Sequence, residues 1–185
     1  MRLIVGITGA SGAILGIRTL EVLRALHVES YLILSKWAEA TIHQETDWSL
    51  ADVKQLATHV YSAADQAAAV SSGSFPVDGM IVVPCSMKTL ASIRMGLADN
   101  LIMRAADVTI KESRKLVLVP RETPVSAIHL ENMLSLAEIG VSIVPPMPAF
   151  YNRPTSVDDI VNHIVARALD QFGIESNLIK RWKAD

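Results

Sequence analysis

The segment Thr8-Gly9-Ala10-Ser11-Gly12-Ala13 follows a short apolar run and precedes apolar residues at helical spacing. Glycines in such a turn let backbone N–H groups approach a phosphate. The helix start favours an anion, and the Ser11 hydroxyl can add a hydrogen bond. A tight strand-to-helix turn also wants glycine for conformational reasons alone. The turn is not G-x-G-x-x-G, so the dinucleotide fingerprint is missing. After the second apolar run stand Ser35 and Lys36 rather than the Asp or Glu that suits an NAD ribose, although Lys36 leaves an NADP site open.

Other candidate groups follow further apolar runs. In Pro84-Cys85-Ser86-Met87-Lys88-Thr89 the hydroxyls of Ser86 and Thr89 can cap a helix or serve a ligand, and Cys85 is a nucleophile or, more often in such a place, a small hydrophobe. Arg121-Glu122 is a charged pair just past Pro120, an odd choice for packing alone. Lys111 and Arg104 share a helical face, either as a ligand site or as a solvated cationic stripe. His129 and Glu131 form an H-x-E without a third ligand, so metal is not expected. Tyr151 and Arg153 stand in a proline-rich loop, and Arg167 lies opposite the apolar face of the last long helix.

The elements that must position these groups are legible in outline. Strands are expected over Leu3 to Thr8, Glu29 to Ser35, Gly79 to Pro84, Lys115 to Pro120 and Val141 to Val144. Helices are expected over Ile14 to Leu26, Lys36 to Glu45, Asp52 to His59, Ser86 to Met95 and Asn100 to Ser113. Another carries Ile128, Leu130, Met133, Leu134 and Ala137 between Ser126 and Gly140. The last long helix starts at Ser156, with Asp159 in the capping-box position. A short helix is expected near the end of the polar tail 175–185. Strands alternating with helices imply an α/β fold whose open parallel sheet is covered on both faces, in three layers. Ligands bind such sheets beyond the carboxyl ends of the strands, which is where most of these groups fall.

Composition narrows the classes. Half of the 185 residues are hydrophobic, 19% are charged and the formal charge is -2. General disorder is excluded, and nothing suggests nucleic acid, whose binders carry a net basic surface. One cysteine, Cys85, allows neither an internal disulfide nor a cysteine-cluster metal site. No apolar run approaches the ~20 residues of a membrane span, and the first residues run directly into a strand pattern without a signal peptide. A cytoplasmic globule is expected.

Taken together, Thr8-Gly9-Ala10-Ser11-Gly12-Ala13, Pro84-Cys85-Ser86, Arg104-Ala105-Ala106-Asp107-Val108, Lys111-Glu112, Leu116-Val117-Leu118-Val119-Pro120-Arg121-Glu122, His129-Leu130-Glu131-Asn132-Met133 and Pro148-Ala149-Phe150-Tyr151 resemble the UbiX/Pad-type flavin prenyltransferases over essentially the whole chain. Ser71-Ser72-Gly73-Ser74-Phe75 and Pro84 to Thr89 look most like the branch found beside phenolic-acid decarboxylases. The resemblance implies a single Rossmann-like flavoprotein domain over residues 1–185 and a homododecamer. It implies transfer of a dimethylallyl group from dimethylallyl phosphate to N5 and C6 of reduced FMN, without a metal. The prenylated FMN would then serve a UbiD-type decarboxylase.

By the same resemblance Gly9, Ala10, Ser11, Ser35, Ser86, Met87, Lys88, Thr89 and Arg121 hold FMN. Ser72, Gly73, Lys111, Arg121, Glu122, Tyr151 and Arg167 surround the prenyl phosphate. Glu45 and Glu122 handle protons, Ser11 lies near N5, and Phe150-Tyr151 or Trp182 closes the site. The residue types suit the chemistry, because Lys and Arg stabilise a departing phosphate and a closed site keeps water from an allylic cation. A pyrophosphate donor would call for a carboxylate cluster to hold Mg²⁺, and Asp158-Asp159 reads better as a helix start. Three other readings stay open: an FMN-dependent decarboxylase of the cysteine-decarboxylating type, an NADP oxidoreductase, and a carrier that delivers FMN without chemistry.

Overall fold

Strands that read as unbroken apolar runs do so because both faces of their sheet are covered. In the computed structural model, which describes residues 1–179, these are β1 (Arg2–Ile7), β2 (Glu29–Leu34), β4 (Gly79–Cys85) and β5 (Lys115–Pro120). With β3 (His59–Ser62) and β6 (Ser142–Ile143) they form one parallel sheet in the order β3-β2-β1-β4-β5-β6. The helices are α1 (Ala13–Ala25), α2 (Lys36–Glu45), α3 (Leu50–Leu56), α4 (Met87–Arg94), α5 (Leu101–Lys111), α6 (Ala127–Glu138) and α7 (Val157–Leu169).

The period of two along a strand splits the core into two layers. Leu3, Val5 and Ile7 of β1 face a cluster built with α1, α2, α3 and α7, whereas Ile4 faces one built with α4, α5 and α6. The strand order reverses between β1 and β4. Their carboxyl ends therefore open the crevice where ligands of such sheets bind.

Helix starts are set by side chains. Ser35, Ser86, Asn100, Ser126 and Ser156 each accept a backbone N–H of the first turn of the helix they cap. Asp159 completes the expected capping box by accepting the backbone N–H of Ser156 at 3.0 Å. His129 does the same at α6, its Nδ1 accepting from the backbone N–H of Ser126 at 3.2 Å. The H-x-E pattern is thus a helix start.

One expectation is corrected. The helix placed over 52–59 ends at Leu56, and His59–Ser62 pairs with β2 as a sixth strand. An edge strand is covered on one side only and none of its residues is buried, so the sequence carries no buried run to mark it. The apolar residues of α6 do not build the core of this chain. Only Leu136 is buried, while Ile128, Leu130 and Leu134 are 68, 53 and 61% exposed. Trp182 and the expected terminal helix lie outside the described residues.

Candidate functional site

Thr8 ties the two central strand ends together. Its hydroxyl donates to the carbonyl of Pro84 at 2.9 Å and accepts the backbone N–H of Ser86 at 2.8 Å. Its own N–H donates to the same Pro84 carbonyl, at 3.2 Å. Buried at the end of β1, Thr8 fixes the glycine turn against the start of α4.

Beside this hub lies a cleft of about 340 Å³ lined by Thr8, Gly9, Ser35, Trp37, Ser86, Lys88, Thr89, Asn100 and Met103. Five of these are residues expected to hold FMN. Ser35, Ser86 and Asn100 are the caps of α2, α4 and α5, so three helix N-termini open onto one cleft. Each contributes the positive end of a macrodipole, a setting that favours a phosphate. Hydroxyls, an amide, the Lys88 ammonium and the indole of Trp37, 73% exposed, complete the lining. That donor set fits FMN, with its phosphate, its hydroxylated chain and its flat ring. Gly9 is needed for the shape, because a Cβ there would overlap the Cβ of Trp37.

The remaining FMN candidates surround this cleft. Ala10 is nearly buried in the turn and Ser11 is exposed on it. Met87 is the first residue of α4. Arg121 leaves the end of β5 exposed to solvent, its backbone N–H on the carbonyl of Cys85 at 3.2 Å. Thr8, Trp37, Asn100 and Met103 were not singled out as site residues. Asn100 carried a readable signal, a capping residue before a helix.

Glu45 reaches back from the end of α2 to the start of α1, where Gly12 sits in the left-handed region at φ 103°. Its Oε2 accepts the backbone N–H groups of Gly12 at 2.8 Å and Ala13 at 3.1 Å. A carboxylate of the chain itself therefore occupies the anion position expected of the glycine turn. Gly12 is the residue after Ser11, so the carboxylate lies at the rim of the turn.

Cys85 is fully buried, and burial pushes its thiol up to about 12, so it is a packed hydrophobe at neutral pH. Glu122 is exposed beyond β5, with Oε1 accepting the backbone N–H of Thr123 at 3.1 Å.

The groups expected around the prenyl phosphate do not gather within one chain. Arg121 and Glu122 lie at the carboxyl edge of the sheet. Lys111 ends α5, and eleven residues at ~1.5 Å each put it about 16 Å along the axis from the cleft residue Asn100. There it pairs with Glu112 beside Ser72 and Gly73, whose loop is held by Arg114 donating to the carbonyls of Gly73 at 2.7 Å and Phe75 at 2.9 Å. Arg167, paired with Asp170 at 2.7 Å, is near the far end of α7, where Phe172 packs against Gly79 at the start of β4. Tyr151 is on the loop before α7, its hydroxyl 2.9 Å from His163 Nε2.

The Flavoprotein family profile matches residues 1–169. A probable UbiX-like flavin prenyltransferase of Escherichia coli O157:H7 is 62% identical over 184 residues, covering 99% of this chain and 93% of that protein. The crystal structure of a dodecameric FMN-dependent UbiX-like decarboxylase from the same organism superposes with a TM-score of 0.98 at 62% identity, over the whole of both chains. That of AnUbiX (PadA1) in complex with FMN and dimethylallyl pyrophosphate gives 0.98 at 54% identity, covering 99% of this chain and 97% of the other. The FMN-dependent cysteine decarboxylase SpaF shares the fold alone, at 18% identity and a TM-score of 0.64 over 78% of this chain and 83% of its own.

Proposed function

Since the chain belongs to the Flavoprotein family and, within it, to the UbiX-like flavin prenyltransferases, we propose that it transfers a dimethylallyl group from dimethylallyl phosphate to reduced FMN. The prenylated FMN then goes to a UbiD-type decarboxylase of phenolic acids. The observation that carries this is the cleft at the β1/β4 crevice, where three helix N-termini and Lys88 suit the phosphate of FMN.

FMN held there supplies, when reduced, the nucleophilic N5 and C6 that take up the dimethylallyl carbons. The chain's own residues do the rest. Ser35, Ser86, Lys88 and Thr89 bind the cofactor, with Gly9, Ala10, Ser11, Met87 and Arg121 around them. Lys111, Arg121 and Arg167 neutralise the charge that grows on the departing phosphate, and Tyr151 hydrogen-bonds to it. Such preorganised donors act most strongly where charge develops. Glu122 and Glu45 accept protons. Ser72 and Gly73 shape the loop beside Lys111.

The spacing within one chain supports a site that draws these groups from different copies. The cleft of one protomer meets Lys111, Arg167 and the Ser72-Gly73 loop from neighbours in a homododecamer like that of the solved relative. The exposed apolar residues Ile128, Leu130 and Leu134 of α6 suit burial in such an assembly. Each protomer acts as one domain over residues 1–185, in a reducing cytoplasm that suits reduced FMN.

The test is to incubate the protein anaerobically with FMN, dithionite and dimethylallyl phosphate, with and without EDTA, and to record the mass of the released flavin. A dimethylallyl adduct formed equally well in EDTA is expected. Recovery of unmodified FMN alone would exclude prenyl transfer, and turnover only with the diphosphate and Mg²⁺ would replace the proposed donor.

A further inference from the structure

The geometry points to His163 as the residue that positions Tyr151: its Nε2–H donates to the phenolic oxygen and turns the phenolic proton away from the imidazole, toward the prenyl phosphate. This inference rests on Tyr151 being a phosphate contact and adds what sets its orientation.

His163 sits midway along α7 and is 9% exposed, on a helix whose Ile164, Val165, Ala168 and Leu169 pack into the core. Its Nε2 lies 2.9 Å from the Tyr151 hydroxyl, and the two rings meet edge to face with centroids 5.6 Å apart at 81°. Tyr151 is 47% exposed on a loop, so the imidazole is the fixed member of the pair.

The tautomer follows from the other nitrogen. Nδ1 is buried and has no hydrogen-bond partner among the described residues. A buried N–H without an acceptor is the rarer orphan, and stranding one forfeits its full desolvation energy. The proton therefore belongs on Nε2, which leaves Nδ1 as a bare lone pair. An imidazole with Nε2–H can only donate to the phenol oxygen, so the phenol's own O–H must point elsewhere.

The surroundings keep the ring neutral. Burial lowers the pKa of His163, Arg167 one turn along α7 lowers it further, and Asp170 opposes them more weakly. Asp159, one turn earlier, is committed to the N–H groups of Thr155 at 2.8 Å and Ser156 at 3.0 Å. Arg153 and His163 line one cavity of about 230 Å³. His163 thus joins two expected phosphate contacts, bonded to Tyr151 and one turn from Arg167.

Steady-state kinetics on His163→Phe, Tyr151→Phe and the double variant test this, with FMN titrations alongside. His163→Phe keeps an aromatic edge but loses the donor. It should lower kcat/KM for dimethylallyl phosphate about 5- to 10-fold, the scale of one neutral hydrogen bond, with FMN affinity within twofold. In the Tyr151→Phe background the same change should do less than twofold more. His163→Gln, which presents an N–H at similar reach, should restore kcat/KM to within about twofold of the parent. It also supplies the test if the Phe variant does not fold. Additive effects in the double variant, a silent His163→Phe beside a damaging Tyr151→Phe, or a large loss of kcat/KM with Gln would overturn the positioning role. A silent Tyr151→Phe would instead remove Tyr151 from the phosphate site, and the inference would fall with it.

Discussion

The Thr8 hydroxyl ties the end of β1 to the end of β4, giving its proton to the Pro84 carbonyl and receiving the backbone N–H of Ser86, which caps α4. Thr8→Val keeps the shape and removes both hydroxyl bonds; the Pro84 carbonyl keeps the Thr8 N–H, but the half-buried Ser86 N–H loses its acceptor. The expected cost is about 1–3 kcal/mol, each kcal/mol lowering Tm by roughly 2–4 °C in a chain of this size. Thr8→Ser should lose much less. Calorimetry at fixed protein concentration checks both, and a Tm unchanged in Thr8→Val would show that the two strand ends need no tie.

Gly9 and Trp37 pack so closely that Gly9→Ala must displace either the turn or the start of α2. Overpacking of this kind costs about 1–3 kcal/mol. Here it falls on the cleft, so FMN affinity should drop roughly 10-fold or more while the protein stays folded. Titration of FMN fluorescence reads this directly. Unaltered affinity would place the flavin away from Gly9.

Glu45 holds two amides at the start of α1 and is expected to move protons as well. Glu45→Gln keeps an acceptor oxygen for Gly12 and Ala13, so its Tm should hold while kcat falls by about 10²-fold. Glu45→Ala should also lose about 0.5–2 kcal/mol of stability, as other caps do. Glu122→Gln should lower kcat by about 10²–10⁴-fold without touching Tm. A Glu45→Gln enzyme with full kcat would reduce Glu45 to a cap.

His163 ties stability to pH. Its folded pKa lies below the unfolded value of ~6.5, so below that pH the unfolded chain binds a proton that the folded chain refuses. The stability that depends on a neutral His163 is complete above about pH 6.5 and declines as pH falls toward the folded pKa. His163→Gln should therefore flatten the fall in Tm between about pH 7 and 5.5. Parallel Tm profiles for parent and variant would mean that His163 is not held neutral.

Much of this was legible in the residues. The runs at Leu3, Gly79 and Lys115 announce buried parallel strands, and Ser156 with Asp159 announces a helix start. The glycine turn and Pro84 to Thr89 announce strand ends that face each other across the crevice. Other features depend on geometry that no local pattern records. The His59–Ser62 strand buries nothing. Glu45 meets Gly12 only because α2 runs back beside α1, and Trp37 forces Gly9 by contact across two turns. The α6 residues Ile128, Leu130 and Leu134 carry an apolar pattern without a core in their own chain, because periodicity reports an apolar face without saying what covers it.

Whether one site draws on two chains is tested most directly by mixed oligomers. Lys88→Glu should abolish FMN binding, and Lys111→Ala or Arg167→Ala should lower kcat/KM for dimethylallyl phosphate by about 10²-fold while leaving FMN affinity intact. Unfolding and reassembling Lys88→Glu with Lys111→Ala in equal amounts pairs intact clefts of one variant with intact Lys111 of the other. Activity should return to roughly a quarter of the parent's, the share of such sites under random assembly. A mixture no more active than the two variants measured apart would contradict a shared site and return Lys111 to the cleft of its own chain.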